Sequence, residues 1–341
     1  MGRFGVAFAD LFKSHPLVDA VAYCDMEKDR VKKYAESNFL PKKFNPGDCY
    51  YSLEDICKAD DIDALVIITQ PWLHAPQCIQ AMEAGKHVYS AVPVISLPCG
   101  DEMLDWCDKI INTSQKTGMR YMLGETTYFR PDAQYCRRQA KAGAFGNYVY
   151  AEGEYMHDVD GGCNLRNVMQ MRTSNTIGQG WFKMIESYKQ RGILDGPMHY
   201  PTHSVSGPVC VMDTFAEKVT AYGYRNKTND PFFNEYAFSN EFALFKMNNG
   251  ATVRIAETRE AAGHLGKDSE TFRIAGTNGT YSEGIWYKAA REGDFSERFG
   301  NEAITTQEMF AKLPQEVEDA FKQAMNQEAE DIEALDFVPS G

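Results

Sequence analysis

Through the first 125 residues, short apolar runs alternate with amphipathic stretches. "FGVAFADLFKSH" spaces its apolar residues for one face of a helix, and "VDAVAYCD" reads as a strand ending on Asp25. "DRVKKYAESN" and "SLEDICKADDI" predict helices, and "DALVIITQP" a strongly apolar strand. "HAPQCIQAMEAGK" predicts a helix closed by Gly85, and "HVYSAVP" the next strand. "CGDEMLDWCDKIINTSQKTG" then reads as a helix and "MRYMLGE" as one more strand. Apolar strands between amphipathic helices indicate a parallel sheet covered on both faces. Residues 1–130 therefore predict a doubly wound α/β domain.

The pattern changes over residues 131–341. A helix, "DAQYCRRQAKAGAFG", leads into the strand-like segments "VYAEGEYMHD", "EKVTAYGYRN", "NEFALFKMNNGATVRIAETRE" and "SETFRIAGTNGTYSEGIWY". Two of these carry Asn-Gly, a hairpin signal. "TVRIAE" and "TFRIAG" alternate apolar and polar residues, as in a sheet with one covered face. This half predicts an α+β domain with a mainly antiparallel, open sheet. The Gly-, Asn- and Met-rich stretch from Asp158 to Gly196 reads as active-site loops. The acidic tail "QEVEDAFKQAMNQEAEDIEALDF" reads as an amphipathic helix with a solvated face.

Composition narrows the partners. Of 341 residues 43% are hydrophobic and 24% charged, enough for two ordinary globular domains. The net charge of −13 argues against nucleic acid and anionic membranes, and leaves a small neutral ligand open. The sequence contains no apolar run long enough to span a bilayer. Nine cysteines, Cys163 among them, are scattered without a C-x-x-C pair. They suit free thiols in a reducing, cytoplasmic setting better than a disulfide framework or a zinc site.

Candidate chemistry gathers at strand ends. The strand in "GKHVYSAVPVISL" ends in Ser90, Ala91, Val92 and Pro93, none of which titrates near neutral pH. Asp25 ends the second visible strand, where dinucleotide-binding folds place a carboxylate on the adenosine ribose and so favour NAD over NADP. The other reading is a turn aspartate. "MGRFG" retains only part of a glycine fingerprint: Gly2 matches its third glycine, with Arg3 beside it, and the strand and glycines before it are absent. The domain is thus expected to be incomplete at its amino terminus, which leaves export open.

In "HYPTHSVSGPVCVM" Pro201 is expected at the first helical position and His203 in the first turn, neutral because the positive helix end disfavours a second charge. The other reading of His203 is a helix-capping residue. His199 and His203 have i, i+4 spacing, yet Pro201 places the helix start between them and no further ligands cluster nearby, so no metal is expected. His199 reads as a substrate hydrogen-bonder or a turn residue. Tyr155 and His157 lie two apart on a strand and share a face, as a proton-relay pair or a half-buried aromatic face. Trp72 and His74 follow a strand end, to line a site or to pack; Glu125 ends another, to hold a ligand or to cap the next turn.

"DALVIITQPWLHAPQCIQAMEAGKHVYSAVP" and "AKAGAFGNYVYAEGEY" resemble the Gfo/Idh/MocA family of nicotinamide-dependent sugar oxidoreductases. The resemblance implies a Rossmann domain, NAD held by Gly2, Arg3, Asp25, Thr69, Trp72, His74 and Val92, and a second domain whose open sheet forms a homo-oligomer interface. The family's Glu-Lys-Pro motif reads Ala91-Val92-Pro93 here, so its proton-transferring lysine is missing. The NAD-dependent glycosidase branch is similar in just that respect, and in Trp72, Glu125, Tyr155-Met156-His157 and Tyr200-Pro201-Thr202-His203. That branch implies a sugar or glycoside substrate and hydride abstraction at carbon 3. A base, Tyr155 or His203, removes the carbon-2 proton, the carbon-1 group leaves, water adds and the hydride returns. His157, Tyr200 and Glu125 would share the acid–base work. The alternatives are a plain dehydrogenase giving a 3-keto sugar, and a non-catalytic NAD- or sugar-binding relative.

Overall fold

The computed structural model describes all residues except 1, 38–42, 45–46, 162–164, 174–175, 264–268, 290–298 and 336–341. Cys163 and the side chain of Arg3 lie outside the described residues. The chain forms two compact units. The first holds residues 1–91, 108–123 and 312–341; the second holds 92–107 and 124–311.

The first unit alternates helix and strand: α1 (Arg3–Ser14), β1 (Tyr23–Cys24), α2 (Lys28–Ser37), β2 (Cys49–Tyr50), α3 (Leu53–Cys57), β3 (Ala64–Ile67), α4 (His74–Glu83) and β4 (His87–Ser90). The long helix α5 (Gly100–Thr117) leads to β5 (Tyr121–Leu123). All strand pairs are parallel, as β1–β2 and as β3–β4–β5. Among the described residues no strand joins the two parts. The apolar run before Asp25 predicted a longer strand than the two residues of β1, and β2 was not foreseen. Around β1, Tyr23, Val31, Tyr34, Ala35 and Phe44 form a small buried core. Phe8 and Phe12 of α1 meet the Tyr89 ring of β4, tilted at 5.8 Å and edge-on at 5.9 Å. Lys86 is buried because its ammonium caps the carbonyls of Ala59 and Ile62, at 2.5 and 2.8 Å.

The second unit continues with α6 (Thr126–Phe129), α7 (Pro131–Lys141), β6 (Tyr148–Met156), α8 (Leu165–Thr173), α9 (Thr176–Gln190) and α10 (Thr202–Met212). Strands β7 (Ala216–Tyr224), β8 (Asn240–Met247), β9 (Thr252–Thr258), β10 (Glu270–Gly276), β11 (Gly279–Ser282), β12 (Ile285–Ala289) and β13 (Phe299–Ala303) follow, then α11 (Thr306–Met309). Helix α12 (Gln315–Leu335) returns to the first unit, where Phe321 meets His15 at 5.2 Å.

The eight strands run in the order β13-β12-β11-β10-β6-β9-β8-β7, antiparallel except for β6–β9. Helix α10 covers one face through two glycine contacts. A Cβ on Gly153 of β6 would lie 1.7 Å from the Ser204 carbonyl oxygen, and one on Gly207 would lie 2.5 Å from the Phe272 ring. Only glycine lets the helix backbone approach the strand this closely.

Two expectations change here. Asp158–Gly196 was expected as loops, and most of it is helix. Trp181, Met184, Ile185 and Tyr188 recur at helical spacing, and Ile185 and Tyr188 are buried. Pro201 is the residue before α10 rather than its first member, and His203 still falls in the first turn. Among the described residues no helix is long and apolar enough to cross a membrane.

Candidate active site

Register builds the centre of the site in the second unit. Tyr155 near the end of β6 pairs with Glu257 of β9 on one side and Glu270 of β10 on the other. Paired residues face the same way, so a phenol sits between two carboxylates on one face of the sheet. Helix α10 covers that face with His203 and Ser204 in its first turn. The His203 ring meets Tyr155 edge-on at 5.2 Å and Tyr200 at 5.8 Å.

Glu125 caps α6 by accepting the Thr127 N–H at 2.9 Å, the capping role read from the sequence. The same Oε1 lies 3.1 Å from His203 Nδ1, while Oε2 is buried without a protein partner. Burial acts to lower the His203 pKa, but the hydrogen bond and charge of Glu125, with Glu270 and Glu257, outweigh it and raise it. The expectation of a neutral imidazole rested on the helix end, and these carboxylates act the other way, raising its proton affinity. Conversely, burial pushes Glu125 up, and the bond to His203 more than reverses this, leaving its pKa lowered.

Tyr155 and His157 share a face as expected, with the hydroxyl 2.5 Å from His157 Nδ1. Burial pulls the His157 pKa down to about 4, and Arg259 and His203 add to the pull. Burial also pushes the Tyr155 phenol up, against Arg259. Both groups are thus neutral at pH 7, with the phenol donating and the imidazole accepting. The resemblance offers Tyr155 as one of two possible bases; in the folded chain its phenol is held protonated.

His199 turns away from His203. Its Nδ1 lies 2.7 Å from Asp195 Oδ1, so the two imidazoles face different carboxylates. Among the described residues no group of three or more His, Cys, Asp or Glu side chains could hold a metal ion. The Tyr200 hydroxyl donates to the Val92 carbonyl at 3.4 Å, so Val92 joins the second unit through its backbone.

The other cofactor candidates lie in the first unit. Asp25 accepts the Glu27 N–H at 2.9 Å, as a turn aspartate does at the end of β1. The Thr69 hydroxyl donates to Gln77 at 2.6 Å. Trp72 lies in a short 3-10 helix after β3, and its indole N–H is buried without a partner among the described residues. His74 is buried with Nε2 3.3 Å from the Thr69 carbonyl, so it braces the turn that carries Thr69 and Trp72. A Cβ on Gly2 would meet nothing within 4 Å, so the close packing expected of a third fingerprint glycine is not found there. Asp25 follows β1 of one small sheet and Trp72 follows β3 of the other, and a carboxylate and an indole donor beyond parallel strand ends are groups that suit a dinucleotide.

Residue-by-residue reading missed Glu257, Arg259, Glu270, Arg130 and Ser204. Arg130 ion-pairs with Glu270 and also donates to its carbonyl at 3.2 Å. Glu257 was detectable: Val253, Ile255 and Glu257 alternate along β9, which puts a carboxylate in the inward series.

Residues 1–125 match the model of the Gfo/Idh/MocA oxidoreductase family, NAD-binding Rossmann fold. An α-N-acetylgalactosaminidase of Bacteroides fragilis is 34% identical over 215 residues, 62% of this chain and 46% of that protein. A glycosyl hydrolase family 109 protein of Shewanella pealeana is 30% identical over 196 residues, 56% of this chain and 38% of that protein. The chain thus spans less than half the length of these two relatives. A scyllo-inositol dehydrogenase of Lactobacillus casei, solved with NAD(H) and scyllo-inositol, superposes with a TM-score of 0.61. The match covers 96% of this chain and 87% of that one. At 14% identity that likeness speaks for the fold alone. The first 125 residues are thus similar to the NAD-binding Rossmann domain of the Gfo/Idh/MocA oxidoreductase family.

Proposed function

We propose that this chain is a sugar-active enzyme that uses NAD as a recycled hydride carrier, and that its net reaction is cleavage of a glycoside. One observation carries the reading. The titratable groups gathered in the second unit include a His–Glu pair and a Tyr–His pair, and apolar Val92 stands where the resemblance places the dehydrogenase lysine. The names of the two curated relatives support the same reaction class.

Bound NAD supplies reversible hydride acceptance at carbon 3 of the sugar, which acidifies the neighbouring proton. The residues then divide the proton transfers by their electrostatics. With Nδ1 turned to Glu125, His203 presents Nε2 to the substrate, and the Glu125 carboxylate strengthens it as a proton acceptor. Tyr155 is kept protonated and donates to neutral His157; exchanging that hydrogen bond for one to the substrate would let it donate toward a departing oxygen. Tyr200 and His199 line the same helix entrance and serve as hydroxyl contacts. No pair of carboxylates at glycosidase spacing is required, unlike ordinary glycoside hydrolysis. Asp25, Thr69 and Trp72 would hold the dinucleotide in this reading, with His74 bracing the turn that carries Thr69 and Trp72.

The partner is a second copy of the chain, docked on the open face of the eight-stranded sheet. Tyr222 pairs with Phe242 there, with Leu244 beside them, and they are 79%, 40% and 50% exposed. A patch of this kind on a sheet face marks an interaction surface.

The test incubates the protein with NAD and a panel of aryl glycosides. Aglycone release without net NADH supports the proposal. NADH accumulation without release assigns a dehydrogenase making a keto sugar. NAD binding with neither product assigns a non-catalytic binder.

A further inference from the structure

Glu257 is the most enclosed carboxylate among the described residues of the second unit, with 0% exposure. It makes two charge-assisted contacts. Its Oε1 accepts the hydroxyl of Ser204, the residue after His203 in the first turn of α10. Its Oε2 accepts Arg259 Nη2 at 2.9 Å. Arg259 is itself buried and lies over the Tyr155 ring, 4.8 Å from its centroid. Its Nη1 donates to the Thr258 carbonyl at 3.0 Å, and that carbonyl also accepts the His157 backbone N–H at 3.0 Å. One buried chain of contacts therefore runs from the helix that carries His203 to the pair Tyr155–His157.

Burying a guanidinium and a carboxylate is costly, and replacing such a pair by apolar residues is often neutral or stabilising. Stability alone gives little reason for this pair. We propose that Ser204, Glu257 and Arg259 are positioning residues of the acid–base site: Glu257 fixes the first turn of α10, and Arg259 holds a permanent cation against Tyr155 and His157.

This rests on the acid–base roles proposed above. The groups facing each histidine set the expected signs. His157 is faced by Tyr155, Arg259, His203 and Asp158. His203 is faced by Glu125, Glu270, Glu257, Tyr155 and Tyr200. Arg259 acts to lower His157, whereas Glu257 acts to raise His203. The two substitutions should therefore move different histidines.

The experiment is an NMR titration of the seven histidines in the full chain, assigned with His157→Gln and His203→Gln. Arg259→Met should raise the His157 midpoint by roughly one pH unit and move His203 less. Arg259→Lys, which keeps the charge, should restore the low midpoint. Glu257→Gln, which keeps the shape, should lower the His203 midpoint and leave His157 low. If neither substitution moves its own histidine, or if both move the two histidines alike, the inference is overturned. Should Arg259→Met fail to fold, the Glu257→Gln titration decides alone. These readings need no turnover, so failure of the sugar chemistry and failure of this inference are separate results.

Discussion

At the scale of single residues, the site is governed by which charges face one another. Position along the chain placed His203 in the first turn of a helix, yet the neighbour that sets its proton affinity, Glu125, is 78 residues away in sequence. No local pattern reports that. Replacing His203 by Gln should lower aglycone release by about a hundredfold or more, measured as kcat. The Glu125–His203 pair also has a pH signature. His203 is raised above its ordinary 6.5, so its contribution to stability is full below 6.5 and is lost as pH rises through the raised value. Glu125 is lowered below 4.5, so its contribution is present above 4.5 and is lost as pH falls through the lowered value. The difference in denaturant midpoint between the wild type and Glu125→Gln should therefore be greatest between those two pH values and shrink on either side.

Among elements, helix α10 and strand β6 matter most, because their contact brings the histidine to the tyrosine. That contact depends on Gly153 and Gly207, where a side chain would occupy space already held by the Ser204 carbonyl and the Phe272 ring. Gly153→Ala should destabilise the second unit by about 3 kcal/mol in denaturant unfolding, since backbone cannot yield as a flexible side chain can. Most elements were readable from periodicity. The alternating residues of β9 and β10 predicted a half-covered sheet, and the amphipathic run of α5 predicted a helix. Helices α8 and α9 were masked by their Gly, Asn and Met content, which imitates loop composition although the apolar spacing is helical. The two-residue strands β1 and β2 are too short for any period to register.

For the molecule as a whole, the two units divide the proposed work: dinucleotide binding in the first and proton transfer in the second. Asp25→Ala should weaken NAD binding by about tenfold in calorimetry, the worth of a hydrogen bond to a charged group, while NADP binding weakens less. The open sheet face is the proposed site for a second copy. Leu244→Glu beside Tyr222 and Phe242 should shift the chain toward monomer in sedimentation, because it buries an unpaired charge in that interface.

The sequence by itself determined the class of each half, the helix start before His203, the shared face of Tyr155 and His157, and the absence of a lysine at Val92. Each is a matter of local period, turn chemistry or residue identity, which a single strand or helix carries within itself. Only the tertiary structure decided the protonation of the site. It paired His203 with Glu125, kept Tyr155 and His157 neutral beside Arg259, and buried Glu257 beneath the helix. Proton affinity depends on desolvation and on charges brought close in space, and those are set when distant segments pack together.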